Sequence, residues 1–337
     1  MVDLSTHYLG LKLANPLMPS ASPLTKDLAS ARRLEDAGAS AVVMHSLFEE
    51  KIEAETQQFA RFFYQQAIGH GEADSFHPVP DTVKTYQEQY LEHLQKLKTG
   101  LAIPVIASLN GTSLSGWLDY GRALQEAGAD ALELNIYHLA ADIHDDSATV
   151  ENRYLAILQE LKRHIRLPIA LKLSSQFSSP IHFAKRLETA GADGIVLFNR
   201  FYQPDIDLET LQVLPKLELS TPAEALLRIR WTALLYGRVN ASLAVTGGFH
   251  QVPDILKALL AGTDVVQLCS VLLEHGPEYL RSLLVELENW LDEHEYESVN
   301  QLKGSVSRQH AIDPGAYERA NYVQVLDNYS CPAGVLR

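Results

Sequence analysis

The chain has little cysteine, no long apolar run and no basic patch, and each shortage removes a class of function. Its two cysteines, Cys269 and Cys331, do not form a CxxC pair. A thiolate zinc site, an iron–sulfur cluster and a disulfide framework are therefore excluded as readings, and no metal is expected. Residues 1–10 lack the basic and apolar stretches of a leader, and no apolar run approaches a bilayer span, so a cytoplasmic protein without a membrane partner is expected. No GxGxxG dinucleotide fingerprint is present. With 42 acidic against 28 basic residues the net charge is −14, which argues against nucleic acid as a partner. A bound phosphate would have to be met by local backbone N–H groups and helix dipoles. What remains, 46% hydrophobic and 21% charged residues, suits a globular chain with a continuous core.

One phrase occurs four times: EDAGASAVVMHS, QEAGADALELNI, ETAGADGIVLFN and LLAGTDVVQLCS, around Gly38, Gly128, Gly191 and Gly262. Each reads as a helix, a glycine stop and a short strand that is apolar on successive residues, as in a parallel sheet covered on both faces. Four further apolar runs, NPLMPSAS, IPVIASLNG, LPIALKLSS and NASLAVTGG, lie between them. Together they predict eight strands near 17–22, 41–46, 104–110, 131–136, 168–174, 194–199, 242–248 and 265–270. Eight strands alternating with helices point to an α/β fold, a (β/α)8 TIM barrel, with a doubly wound open sheet as the alternative. Residues 47–95 and 200–225 exceed a plain loop and leave the C-terminal face, where such barrels keep their sites. Residues 278–302 read as helical and the tail from about 303 to 337 as a wrapping extension of one domain spanning 1–337.

In a barrel the strand ends share one mouth: Ala21 and Ser22, His45 and Ser46, Asn110, Asn135, Lys172, Asn199, Gly247 and Gly248, Cys269 and Ser270. The amides of Gly248, Cys269 and Ser270 could converge on a phosphate, although a GG pair also makes a tight turn. Lys172 sits inside the apolar IALKLSS and needs a partner: the pyrimidine edge of a flavin, a carbonyl substrate in Schiff-base chemistry, or simply Glu133. Asn135 can donate and accept at once to a ring with C=O and N–H groups. His138 is a candidate general base or a solvated loop residue, and His45 either faces a ligand or is satisfied by backbone carbonyls.

These residues resemble the dihydroorotate dehydrogenase family, FMN barrels related in their flavin domain to dihydropyrimidine dehydrogenases. ANPLMPSAS is similar to the family's first-strand segment beside the flavin, ELN ending at Asn135 to its fourth-strand motif, and Lys172 in LKLS to its flavin-contacting lysine. VTGGF at 245–249 and LAGTDVVQLCSVLLEHGP at 260–277 resemble its phosphate-binding end. The departures are His138 where the family has a catalytic Cys or Ser, His45 for its second-strand lysine, Pro23 for a glycine, and no recognisable NSxGxPN loop between 60 and 85. The resemblance implies FMN, with contacts from Ala21, Ser22, His45, Ser46, Asn110, Asn135, Lys172, Gly247, Gly248, Cys269 and Ser270. It also implies substrate contacts from Asn135 and Asn199, and catalysis by His138 and Lys172 on dihydroorotate or a related dihydropyrimidine in pyrimidine metabolism. A homodimer and a redox partner protein accompany that reading. A phosphate-binding lyase or isomerase using Lys172, and a non-catalytic flavin-binding subunit, are the rival expectations.

Overall fold

A computed structural model describes residues 2–67, 84–111 and 114–327. The barrel strands are β1 (Leu17–Pro19), β2 (Val42–Val43), β3 (Val105–Asn110), β4 (Ala131–Asn135), β5 (Ile169–Leu173), β6 (Gly194–Leu197), β7 (Ser242–Thr246) and β8 (Val265–Leu268). Neighbours pair in parallel in the order β1-β8-β7-β6-β5-β4-β3-β2. The two ends meet where Ser40, just ahead of β2, donates its N–H and its hydroxyl to the Leu17 carbonyl at 3.1 and 2.9 Å. This is the (β/α)8 TIM barrel that the strand count predicts.

The repeated phrase has a physical meaning in two parts. Its glycines adopt φ of +101°, +95°, +105° and +116° at Gly38, Gly128, Gly191 and Gly262, the left-handed turn that ends each helix. Two residues on, Asp130, Asp193 and Asp264 each make a reciprocal pair with the preceding strand. The aspartate N–H donates to the carbonyl of Val105, Ile169 or Leu243, and its carboxylate accepts from the N–H of that same residue at 2.7, 2.8 and 2.7 Å. A lysine closes each unit: Lys98, Lys162 and Lys303.

Because strand side chains alternate, every second position points into the barrel. Met18, Val43, Ile106, Ala131, Ala170, Val196, Ala244 and Val265 form that inner layer. Its three alanines leave space for an antiparallel hairpin, Thr6–Tyr8 with Leu11–Leu13, whose Tyr8, Leu9 and Leu13 complete the layer as a plug at the N-terminal end. Neither hairpin strand is among the eight expected ones, since three residues are too few to show a period. The expected strands also shorten, 17–22 to β1, 194–199 to β6 and 265–270 to β8 among them. β7 stops at Thr246 because Gly247 and Gly248 turn to φ +86° and +95°, and the expected 41–46 run shortens to β2, with a separate Leu47–Phe48 strand beyond it pairing with β3.

Both expected insertions leave the C-terminal ends. After β2 come the helices Glu49–Ala67 and Tyr86–Gly100, the second opened by a Thr85/Glu88 capping box; after β6 comes an antiparallel hairpin, Asp205–Asp207 with Gln212–Leu214. Residues 68–83, within the interval searched for the substrate loop, and residues 328–337, which include Cys331, lie outside the described residues. The expected helical stretch contains Tyr279–Glu293 and Val299–Leu302. The tail then runs back over the helices Ala225–Leu235 and Val252–Ala261, through N–H bonds from Gly304 and Val306 to Leu259 and Leu260 and from Arg308 to Ala233. No helix among the described residues is long and apolar enough to cross a membrane.

An added Cβ at Gly262 would overlap the Tyr236 ring, whereas at Gly128 it would meet only the Lys98 side chain at 4.0 Å. Gly262→Ala therefore combines left-handed strain with overpacking and should cost about 2–5 kcal/mol, against about 1 kcal/mol for Gly128→Ala. Urea unfolding of both variants checks this; equal losses would mean that the Tyr236 contact is immaterial.

Candidate active site at the barrel mouth

One step above the apolar inner layer, the same inward positions become polar. Lys172 Nζ donates to Ser20 Oγ at 2.9 Å and to Glu133 Oε1 at 3.3 Å, and Gln267 Nε2 donates to Glu133 Oε2 at 2.7 Å. All four side chains are buried. Glu133 is thus the partner that Lys172 requires, and the cluster ties β4, β5 and β8 to Ser20, which follows β1. An ammonium has three donors, so Lys172 retains one with no partner among the described residues. Gln267 in VVQL and Ser20 were not singled out from the sequence, although a polar residue within an apolar strand is the same signal that marked Lys172.

The next layer up carries amides. Asn199 Nδ2 donates to Asn135 Oδ1 at 2.8 Å, which brings together the two residues expected to read a substrate ring. Asn110 is buried at the end of β3, in register with Asn135. Tyr137 stacks on Phe201 with ring centroids 4.1 Å apart and accepts from the Tyr202 N–H at 3.2 Å, linking the segments that follow β4 and β6.

At the expected phosphate end the backbone donors are partly engaged. Gly248 N–H donates to Ser220 Oγ at 3.0 Å, and the Ser220 hydroxyl donates to Ser270 Oγ at 2.9 Å. Ser270 opens the helix Ser270–His275, whose first-turn amides have no acceptor within that helix. Two cations that the sequence reading missed lie here. Arg228 is buried, donating to the Thr246 and Glu224 carbonyls, and Arg200 pairs with Glu224 at 3.0 Å. Burial draws the Arg228 pKa down and Arg200 adds to that, against Glu224. At Gly247 a Cβ would come within 3.1 Å of Arg228 Nη2 and 3.5 Å of the Arg200 stem, so the glycine keeps open a gap between bare backbone and two cationic side chains. That gap fits a phosphate. Cys269 feels both Lys172 and Arg200, but burial outweighs them and pushes its thiol up, so it is a neutral contact group.

His138 follows β4 on a loop held by its own ring. Nε2 lies 3.1 Å from Asp145 Oδ2, and Arg153 Nη1 lies 2.6 Å from Nδ1 and 3.0 Å from Nε2, so the ring stands between a carboxylate and a guanidinium. His45 lines a cavity together with Ala21, Ser22 and Ser46. Its Nδ1 is buried without a hydrogen-bond partner among the described residues. Burial lowers its pKa to about 4, with His93, Lys26 and Lys51 contributing and an interaction of the ring with the Thr25 backbone opposing. Among the described residues no group of three or more His, Cys, Asp or Glu could hold a metal ion.

Comparison with known proteins gives a consistent picture. The sequence model of one family, described as dihydroorotate dehydrogenase, matches residues 78–291. The catalytic subunit of dihydroorotate dehydrogenase B (NAD(+)) from Thermoplasma acidophilum is 26% identical over 316 residues, covering 91% of this chain and all of that protein. The corresponding Bacillus pumilus protein is 24% identical, over 94% of this chain and all of its own length. Chloroplastic dihydropyrimidine dehydrogenase (NADP(+)) of Arabidopsis thaliana is 23% identical over 90% of this chain and 76% of its own.

Removing Lys172 alone strands the buried Glu133 carboxylate, and breaking such a pair typically costs about 3–5 kcal/mol. Lys172→Met should lose that much in urea unfolding at pH 7, and Glu133→Gln added to it should restore most of the loss. A stable single variant would show that the pair carries no weight in the fold. For His45, the unfolded ring titrates near 6.5 and the folded one near 4, so the unfolded chain alone gains a proton as pH falls through that window. Stability from the neutral ring is complete above pH 6.5 and declines towards pH 4. His45→Gln should lessen the acid-induced fall in denaturation midpoint; an unchanged fall would mean that the ring is protonated in place.

Proposed function

The chain belongs to the dihydroorotate dehydrogenase family and is an oxidoreductase acting on CH–CH bonds, and on that premise we propose that it holds FMN across the barrel mouth and oxidises dihydroorotate or a related dihydropyrimidine. Neither the lyase reading of Lys172 nor a non-catalytic subunit is supported by relatives that are named as dehydrogenases. One observation carries the proposal: a buried lysine with a spare donor and a glycine-lined gap flanked by two arginines share the C-terminal end of one barrel, with Cys269 influenced by both.

In this reading Arg200, Arg228 and the backbone at Gly247, Gly248, Cys269 and Ser270 hold the phosphate. Lys172 faces the electron-rich edge of the ring system, and Ala21, Ser22, Ser46 and Asn110 border it. When bound, FMN supplies the two-electron acceptor for the substrate C–H bond. Asn135 and Asn199, already bonded to each other, orient the C=O and N–H groups of a pyrimidine-like ring. His138 takes the substrate proton on its imidazole ring, which Asp145 and Arg153 hold in place. The chain 1–337 acts as one barrel domain, with its segment 304–308 laid over the outer helices. The exposed apolar side chains of the 205–214 hairpin, Ile206, Leu208, Leu211 and Val213, suit a homodimer or a redox partner that reoxidises the site.

The protein should purify yellow, and mass spectrometry of the released cofactor should give FMN; FAD, or no flavin after reconstitution, would sink the reading. With FMN content unchanged, His138→Gln should slow anaerobic flavin reduction by dihydroorotate by roughly 10²-fold or more, while Arg153→Gln should not. Equal losses in both variants would reduce His138 to a loop anchor. Failure of dihydroorotate to bleach the wild type, with other dihydropyrimidines active, would move the substrate within the class.

A further inference from the structure

Behind the phosphate end, four side chains form a line that starts at a partly exposed carboxylate. Glu274 Oε2 lies 3.5 Å from His250 Nδ1, His250 Nε2 lies 3.2 Å from Ser220 Oγ, and Ser220 Oγ lies 2.9 Å from Ser270 Oγ. Both serines are buried. The line is assembled from three separate places: the segment ahead of the helix Ala225–Leu235, the turn after β7, and the helix Ser270–His275. Neither His250 nor Glu274 has a part in the function proposed above.

A hydroxyl donates once and accepts twice, so the hydrogen bonds along this line can be counted. Ser270 Oγ accepts from the Ser220 N–H at 2.9 Å and from the Ser220 hydroxyl, which leaves its own O–H as its remaining function. Ser220 Oγ accepts from the Gly248 N–H at 3.0 Å and has one acceptor position left. His250 decides how that position is used. With a proton on Nε2 the ring donates to Ser220, both acceptor positions of Ser220 are filled, and its O–H turns to Ser270; the Ser270 O–H then points out of the line. With Nε2 bare, the Ser220 O–H takes the ring as its acceptor and Ser270 donates back into the line. Glu274 beside Nδ1 favours the single proton of a neutral ring at that nitrogen, so Nε2 gains a proton when the ring becomes a cation.

We propose that His250 is a positioning residue for the phosphate, and that its protonated ring, held by Glu274, turns the Ser220–Ser270 pair into a donor towards a bound phosphate monoester. This rests on the reading of the Gly247 gap as the phosphate end and adds a dependence on pH to it. Imidazole changes charge between about pH 5 and 8, and a proton that strengthens anion binding is lost as pH rises, so the hold on phosphate weakens across that window. The other titratable and charged groups around the ring come from each neighbouring element. Asp254 accepts from the His250 N–H at 3.2 Å, and His275 stands 4.0 Å from the same Glu274 oxygen. Beyond Ser220, Arg200 and Arg228 share Glu224.

Calorimetry on the full-length protein freed of flavin tests this, with FMN, riboflavin and inorganic phosphate titrated from about pH 6 to 8.5. The phosphate of the ligand titrates in the same range, so each affinity is read as the ratio of wild type to His250→Leu, in which that contribution cancels. FMN should bind wild type about tenfold more tightly than His250→Leu near pH 6 and less than about threefold more tightly near pH 8.5, as expected for one charge-assisted hydrogen bond. Inorganic phosphate should follow the same ratio, and riboflavin, which has no phosphate, should show none. Glu274→Gln should move the midpoint of the wild-type FMN profile to lower pH, because the imidazolium loses its counter-charge, and His275→Gln should leave it in place. Glu274→Gln lies at a partly exposed position and reads the relay even where His250→Leu fails to fold. A ratio for FMN that is constant with pH, a midpoint indifferent to Glu274→Gln, or a riboflavin ratio that changes as much as that of FMN would overturn the proposal. Inorganic phosphate reads the relay without flavin: a pH-dependent phosphate ratio with no FMN binding would uphold the relay and overturn the cofactor reading, and binding of neither would overturn both.

Discussion

The structure turns on the burial of one positive charge. Lys172 projects into a barrel whose lower layer is entirely apolar, and an isolated ammonium there would be prohibitively expensive. Glu133 on the neighbouring strand supplies the counter-charge, Ser20 and Gln267 supply the remaining hydrogen bonds, and four points around the ring become fastened to one another. Such a layer contributes little net stability by itself, since desolvation offsets most of the attraction. Its effect is to fix which side chains stand above it. The Tyr8 plug below shows the same constraint from the other side: burial, reinforced by the charges of Glu133 and Asp264, pushes its pKa well up against the opposing contact with Gln267.

Above that layer the chemistry is arranged in steps of polarity. Paired amides at Asn135 and Asn199 follow the ion pair, and the aromatic contact between Tyr137 and Phe201 follows the amides. The cations of the phosphate end are restrained in the same way as Lys172: Arg200 and Arg228 share Glu224, so an arriving phosphate would find guanidinium groups already in place. In a chain of net charge −14, a few fixed cations at short range outweigh a distant and screened field.

Much of this was legible in the sequence. The four repeated phrases gave the alternation of helix and strand, and Gly38, Gly128, Gly191 and Gly262 marked the helix ends because only glycine takes φ near +100° without strain. The number of strands implied closure, and closure placed Asn110, Asn135, Lys172 and Cys269 at one mouth. Even the Glu133 partnership was among the readings of Lys172. The aspartates two residues beyond three of those glycines were visible as part of the repeat, but their bond to the neighbouring strand was not.

What the sequence determined by itself was everything that depends on periods of two to four residues and on local turn chemistry: strand and helix positions, the end of the barrel that carries function, and the family. What only the tertiary structure decided was which polar groups meet. Lys172 and Ser20 are 152 residues apart, and Glu133 and Gln267 are 134 apart. Their contact depends on the register and closure of the barrel, which no local pattern encodes. The same holds for the two arginines beside Gly247 and for His45, which lies against His93 in a cavity shared with Ala21, Ser22 and Ser46. Position along a strand fixes the height of a side chain in the barrel; only the packed ring fixes its neighbours.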